Sequence, residues 1–398
     1  MKLWQKHWQL NPELEAFETG DDLLLDQKLV WADVAGSIAH AACLKNIGIL
    51  TSHEFAQAKK GLLEIKKFAA EGKFMLQMGD EDIHTKIENY LTRHYGMVGK
   101  KIHTGRSRND QVLTAIRLYT KEELLDIQTK IRLLTDAFVY FSKKYGHIVM
   151  PGYTHMQKAM PSSIGLWAGS FVSSLKDDLV NVRAALTLVD QSPLGSAAGY
   201  GVPLPLDRKL TAKLLGFAHV QNNSLYCQNS RGKIEGTVVS ALVSLQQTIN
   251  KFATDVLLFT TSEFGYFTID DVLTTGSSIM PQKKNIDIAE LLRSKLHIIL
   301  GYYNEIIGIS SNLPSGYNRD LQDTKKPLME SLAISKQSLA IATLLIRHMK
   351  PNKDKLSLAM TPELFATHKV FEQVKKGIAF RDAYKKGGEK YENKNKLY

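Results

Sequence analysis

Residues 233–262 read KIEGTVVSALVSLQQTINKFATDVLLFTTS. Through this stretch Ile234, Val238, Leu242, Leu245, Ile249, Phe252, Val256 and Phe259 step by three or four residues, which lines them along one helix face. No proline interrupts it, and a helix of that length extends roughly 45 Å. Segments 111–145, 161–190, 287–312 and 325–350 carry apolar residues at the same spacing. These stripes are packing surfaces, and helices this long point to a bundle. Alternating patterns are scarce, with Ile148-Val149 and short pieces near 192–205 the weak strand candidates. The expected fold class is all-α: a long-helix bundle with smaller helical N- and C-terminal units.

Breaks between the stripes set the organisation. Gly105, Pro151-Gly152, the span Pro193 to Pro205, Gly276 to Pro281, and Pro314-Ser315-Gly316 interrupt helices. We divide the chain into 1–105, 106–350 and 351–398, the last boundary marked by Pro351 and by the cap-like Thr361-Pro362-Glu363. There is no internal repeat, and only the Lys/Asn/Glu-rich end after Gly387 approaches low complexity.

Composition narrows the class. Hydrophobic residues make up 44% and charged residues 23% of 398, which is ordinary for a globular protein. The polar start Met1-Lys2-Leu3-Trp4-Gln5 predicts no signal peptide, and the apolar runs are shorter than a membrane span requires. Cys43 and Cys227, far apart, predict a reducing, cytoplasmic setting without disulfides. The charge is +11, from 51 Lys+Arg and 40 Asp+Glu, so nucleic acid must be weighed as a partner. Much of the excess is in the last fifty residues, with 12 Lys/Arg against 6 Asp/Glu and no binding motif. We expect no nucleic-acid partner and no membrane partner; a basic surface suits a multiply anionic small substrate. Neither a metal-ligand cluster nor a phosphate or dinucleotide glycine pattern is present, so no metal and no cofactor are expected.

The chemistry concentrates in a few loops. Gly276-Ser277-Ser278-Ile279-Met280-Pro281-Gln282-Lys283-Lys284-Asn285 combines hydroxyls, ammonium groups, a carboxamide and a fixed proline. Such a loop can wrap a carboxylate, with backbone N–H groups and Lys283 on the anion and a serine hydroxyl near the adjoining carbon. Thr104-Gly105-Arg106-Ser107-Arg108-Asn109-Asp110-Gln111 places two arginines, an asparagine and hydroxyls at a helix start, a second carboxylate cradle. Pro151-Gly152-Tyr153-Thr154-His155-Met156-Gln157 sets a histidine after a Pro-Gly turn. Glu81-Asp82-Ile83-His84-Thr85 and Tyr317-Asn318-Arg319-Asp320-Leu321-Gln322-Asp323-Thr324-Lys325 are two further polar runs.

Together these runs resemble the shared regions of the fumarase/aspartase superfamily, whose members cleave C–N or C–O bonds to release fumarate. The form Gln282-Lys283-Lys284-Asn285 and the run Thr104 to Gln111 are similar to its argininosuccinate lyase / delta-crystallin branch. Less specific matches are Ser192-Pro193-Leu194-Gly195-Ser196 and Ser230-Arg231, and the likeness runs from Leu3-Trp4 to about Arg381.

The resemblance implies a carbon-nitrogen lyase that converts argininosuccinate to arginine and fumarate by β-elimination, the last step of arginine biosynthesis. It implies His155, Ser277, Lys283 and Glu290 as catalytic residues, with Glu290 orienting the His155 imidazole. His84, Arg108, Asn109, Thr154, Ser278, Asn285, Tyr317, Gln322 and Lys325 are the implied substrate-binding residues, the last three at the amino-acid end. It further implies a homotetramer with shared active sites, in which segment 106–350 carries both oligomerisation and the site. Ser277 is our choice for the group that takes the carbon proton, and which of Ser277 and His155 is base and which acid stays open. The alternatives are another fumarate-releasing lyase of the superfamily, or a catalytically silent crystallin-like homologue.

Three departures stand out. Ile286 replaces the usual proline after the loop asparagine. Asp21-Asp22 falls where many members carry a substrate-binding serine. The chain stops short of typical members, so an abbreviated C-terminal unit is expected.

Overall fold

The computed structural model describes residues 11–77 and 79–392; Leu3-Trp4, where the likeness begins, and residues 393–398 lie outside the described residues. The five long helices are, in chain order, Arg108–Tyr145, Ile164–Val189, Lys233–Phe259, Asp287–Ser310 and Lys325–Arg347. All eight apolar positions of the 233–262 stripe are buried in the third helix, the most exposed being Phe259 at 6%. In the first, Leu113, Ile116, Leu124, Ile127, Ile131, Leu134, Phe138 and Phe141 keep to one buried face in the same way.

The chain groups into two compact units, Met1–Gln128 with Val180–Ser244 and His297–Lys336, and Thr129–Leu179 with Leu245–Leu296 and Gln337–Tyr398. The division passes through every long helix, whereas the boundaries read at 105 and 350 fall near helix ends, before Arg108 and after Arg347.

In the first unit the helices Val30–Asn46, Ser52–Ala70 and Ile83–Tyr95 bury Val34, Leu44, Leu62, Ile65, Ile87 and Leu91 in one core. A capping box starts the second of these: Thr51 Oγ1 accepts from Glu54 N at 3.2 Å and Glu54 Oε2 accepts from Thr51 N at 2.8 Å. The first long helix begins in a related way. Ser107 N donates to Asp110 Oδ1 at 2.9 Å, and Asn109 N donates to Ser107 Oγ at 3.3 Å. The other oxygen of Asp110 accepts from Gly195 N at 2.9 Å and Ala197 N at 3.0 Å, so this buried carboxylate also holds the irregular 193–201 segment.

The second unit is built on aromatic packing. Phe138 stacks on Phe171 at 5.2 Å and meets Phe252 edge-on at 5.0 Å, while Trp167 lies 5.2 Å from Phe267 and donates to Asp255 Oδ2 at 2.9 Å. Each fully buried ring contributes about 1.5–3 kcal/mol.

The strands are short. Val149–Thr154 pairs antiparallel with Gln157–Ser163, and Thr275–Gly276 with Lys284–Asn285. Of the strand pieces anticipated near 192–205, only Gln191–Ser192 forms, paired with His219–Val220. Thr361 precedes a 3-10 turn, Pro362–Phe365, but its side chain makes no capping bond. The segment Arg319–Arg347 is, by length and composition, apolar enough to cross a bilayer, contrary to the reading of the apolar runs; 56% of its most apolar window is buried inside the protein, as in a core helix.

Candidate active site

In the first unit, Arg108, Asn109, Tyr317, Gln322 and Lys325 line one cavity of about 120 Å³. Arg108 opens the first long helix, and its guanidinium is held from the opposite wall. Both terminal nitrogens bond Glu81, with Nη2 to Oε2 at 2.6 Å; Nη2 also donates to Thr85 Oγ1 at 2.7 Å, and Nε lies 3.3 Å from Asp82 Oδ2. The helix start explains this arrangement. Asp82 caps Ile83–Tyr95 by accepting from Thr85 N at 2.7 Å, which turns Glu81, Asp82 and Thr85 toward Arg108 and sends Ile83 into the core.

His84, on the same turn, points the other way. It is 2% exposed, bonds Asp33 through Nδ1, and does not line the cavity. Burial alone would lower its pKa, but the Asp33 carboxylate raises it to about 9, so the pair is ionic. Asp33 also accepts from Gln111 Nε2 at 3.1 Å and Ser37 Oγ at 3.1 Å. His40, nearby, is held down to about 3 by burial and by Arg106.

Lys325 begins the fifth long helix, 3% exposed, with Nζ 2.8 Å from Asp22 Oδ1 and 2.7 Å from Asp26 Oδ1. Burial opposes its charge, but the two carboxylates together raise its pKa and keep it an ammonium. Gln322 Nε2 donates to the Glu18 carbonyl at 2.9 Å, and Tyr317 lies under the Arg231 guanidinium, 4.9 Å from ring centroid to Cζ.

Sequence reasoning missed the acidic wall. Glu18, Asp22, Asp26, Glu81 and Asp82 all line the cavity. The available signal was Asp22 and Asp26, like charges four apart on one short helix, an arrangement that calls for a cation between them. Arg231, one of the less specific matches in the sequence, lines the cavity as well.

The other predicted residues lie in the second unit. Thr154 and Gln157 pair across the first hairpin, so His155-Met156 form a two-residue turn with φ of 52° and 60°. Two positive φ values are the mark of a type I′ turn, which glycine and asparagine normally supply. Two larger side chains hold these positions at a cost in backbone strain, and the His155 imidazole, at the hairpin tip, is exposed.

Ser277, Ser278 and Lys283 sit in the loop of the second hairpin, and Asn285 closes it opposite Thr275. Ser277 Oγ accepts from Met280 N at 3.1 Å and Ile279 N at 3.3 Å, and Thr275 Oγ1 donates to Asp287 Oδ2 at 2.5 Å. Lys284 Nζ bonds Asp271 at 2.7 Å, while Lys283 is exposed and anchored by its backbone N–H to the Met280 carbonyl at 3.0 Å. Glu290 is exposed in the first turn of the fourth long helix. His155 and Glu290 form no hydrogen bond to each other in this single chain: one stands on a hairpin tip, the other on a helix face.

A family model described as Lyase matches residues 15–301. The argininosuccinate lyase of Thermotoga neapolitana is 43% identical over 390 residues, covering 98% of each chain. That of Bacteroides fragilis is 42% identical over 387 residues, 97% of this chain and 87% of the other. Among solved structures, EDDS lyase in complex with formate superposes with a TM-score of 0.80 at 24% identity, covering 95% of this chain and 75% of that one. A fumarate lyase:delta crystallin from Brucella melitensis bound to cobalt gives 0.78 at 16% identity, over 96% and 92%. At those identities the structures speak to the fold alone, the long-helix fold described above. The two sequence relatives, matched almost end to end, settle the branch: this chain belongs to the argininosuccinate lyase family.

Proposed function

We propose that the protein cleaves argininosuccinate to arginine and fumarate by β-elimination, as the last step of arginine biosynthesis in the cytoplasm. The observation that carries this reading is the hairpin closed by Thr275–Gly276 and Lys284–Asn285, which gathers Ser277, Ser278, Lys283 and Asn285, with Ser278 and Lys283 exposed and Ser277 and Asn285 half-buried. The hydrogen removed lies on carbon beside a carboxylate, so its loss places a second negative charge on that group. Stabilising this dianion is the main catalytic demand. Lys283, Asn285, Ser278 and the turn's N–H groups are the donors for it, and Ser277 takes the proton in their positive surroundings. Thr154 binds substrate beside His155, and His155 serves the leaving guanidino nitrogen, its imidazole oriented by Glu290. Arg108, Asn109, Tyr317, Gln322 and Lys325 build the amino-acid end of the site, with His84 behind them.

We assign the working molecule to a homotetramer formed by segment 106–350. The fourth long helix leaves Leu291 and Ile298 exposed on one side and Leu300 and Ile307 on the opposite side, all between 40% and 57%, so that each side offers an apolar pair seven residues apart to another copy. Pairing between His155 of one subunit and Glu290 of another would supply the hydrogen bond that the two do not form within one chain.

The test is fumarate absorbance with argininosuccinate, adenylosuccinate or malate as substrate. Activity should appear with the first alone. An inactive His155→Asn chain mixed with an inactive Ser277→Ala chain should regain partial activity by assembling intact sites. A fully active monomer in sedimentation would refute the shared site.

A further inference from the structure

The first-unit cavity holds one buried cation that pairs with no carboxylate among the described residues. Arg108 is matched by Glu81 and Asp82, and Lys325 by Asp22 and Asp26. Arg319 is exposed and donates to the Glu18 carbonyl at 3.1 Å. Arg231 is different. It is 5% exposed, lines the cavity, and forms no ion pair among the described residues. Its Nε is buried without a hydrogen-bond partner, alone among the cavity's lining residues in this respect. Leaving a buried charged donor unmatched is costly, which makes the site a receptor for an anionic acceptor.

The local chain holds this guanidinium in place. Arg231 lies between the helices Ser224–Asn229 and Lys233–Phe259, and its N–H donates to the Gln228 carbonyl at 3.0 Å. Gly232 takes φ +74°, and a Cβ there would stand 2.4 Å from Ser310 Cβ, so the turn admits only glycine. The Tyr317 ring supports the guanidinium plane from one side. A guanidinium backed by an aromatic ring presents a planar fork, which favours a bidentate carboxylate over a rounder anion.

The walls decide which carboxylate. Five carboxylates and four cations line the cavity, so a ligand end that carries both signs matches it better than the dicarboxylate end of argininosuccinate. An α-amino-acid head carries one carboxylate and one ammonium, and Glu18 and Asp22 on the acidic wall suit the ammonium. We infer that Arg231 is the anchor for the α-carboxylate of the arginine half of the substrate, and that Lys325 acts chiefly as the counter-ion holding Asp22 and Asp26 in position. The choice of ligand rests on the lyase reading.

Titration calorimetry with arginine and with agmatine, which is arginine without its carboxylate, tests this on the full-length protein. Wild type should bind arginine at least about tenfold more tightly than agmatine. Arg231→Ala should bring arginine down to the agmatine level and leave agmatine unchanged, and Arg231→Lys should fall between. Equal binding of the two ligands by wild type, or no binding of arginine, overturns the inference. So does a parallel loss of both ligands in Arg231→Ala, the signature of a structural role. If Arg231→Ala does not fold, the wild-type comparison and Arg231→Lys still decide. A wild type that prefers arginine through its carboxylate yet releases no fumarate from argininosuccinate would defeat the lyase reading and leave the Arg231 site standing.

Discussion

Replacing Lys325 by Met separates a structural role from a binding role at the same side chain. Met has a similar length and no charge, so the packing of the 3%-exposed stem is largely kept. What is lost is the ammonium between Asp22 at 2.8 Å and Asp26 at 2.7 Å. Removing one partner of a buried ion pair costs about 3–5 kcal/mol, because the remaining charge is left uncompensated. An exposed pair would cost about 0–1 kcal/mol. We therefore expect Lys325→Met to lose about 3–5 kcal/mol in urea denaturation at fixed protein concentration near neutral pH. The acid side supplies a sign check. Burial already raises the Asp22 pKa above 3.8, and without Lys325 nothing as close lowers it again. The folded variant then binds a proton at pH values where its unfolded chain has released one, so its deficit must shrink as pH falls. Adding Asp26→Asn should recover part of the loss. A deficit below about 1 kcal/mol, or one that does not change with pH, would refute the reasoning and return Lys325 to a purely substrate-facing role.

Ser277→Ala should lower kcat about 10²- to 10⁴-fold if the hydroxyl moves the proton. Ser277 is half-buried and its Oγ accepts from two turn amides, so stability should fall by about 1 kcal/mol as well; a variant that keeps most of its kcat shifts the base role to His155. For His84, the folded pKa of about 9 lies above the unfolded value of 6.5, so its contribution is complete below 6.5 and is lost as pH rises through 9. Urea stability of wild type should therefore drop by about 3 kcal/mol over that interval, a drop that His84→Asn should not show.

The long helices were legible because each keeps one apolar face over many turns, and nothing local competes with that signal. The His155 and Gly276–Asn285 hairpins were much less so: Ile148-Val149 marks only the start of one strand, and burial along the strands, with Met150 and Pro151 buried side by side and the rest half-buried or exposed, follows no alternation. The candidate site was legible where the residues reach into the cavity, as for Arg108 or Tyr317. It was not legible for His84, because motif spacing cannot show which face of a helical turn a side chain takes; only the Asp82 cap fixes that. The matching of Lys325 by Asp22 and Asp26 depends on residues about three hundred positions away in sequence, a distance that helical periodicity does not span.

The three backbone N–H groups gathered by Asp110 have a consequence for the timescales of the molecule. Segment 193–201 has little secondary structure of its own, so its amides would ordinarily exchange with solvent as fast as the loop fluctuates. Gly195 and Ala197 instead donate to a buried carboxylate rooted in the first turn of a thirty-eight-residue helix. Their protons can be released only when that turn opens, so an irregular loop inherits the slow hydrogen exchange of the longest helix, and the two regions open as one cooperative unit.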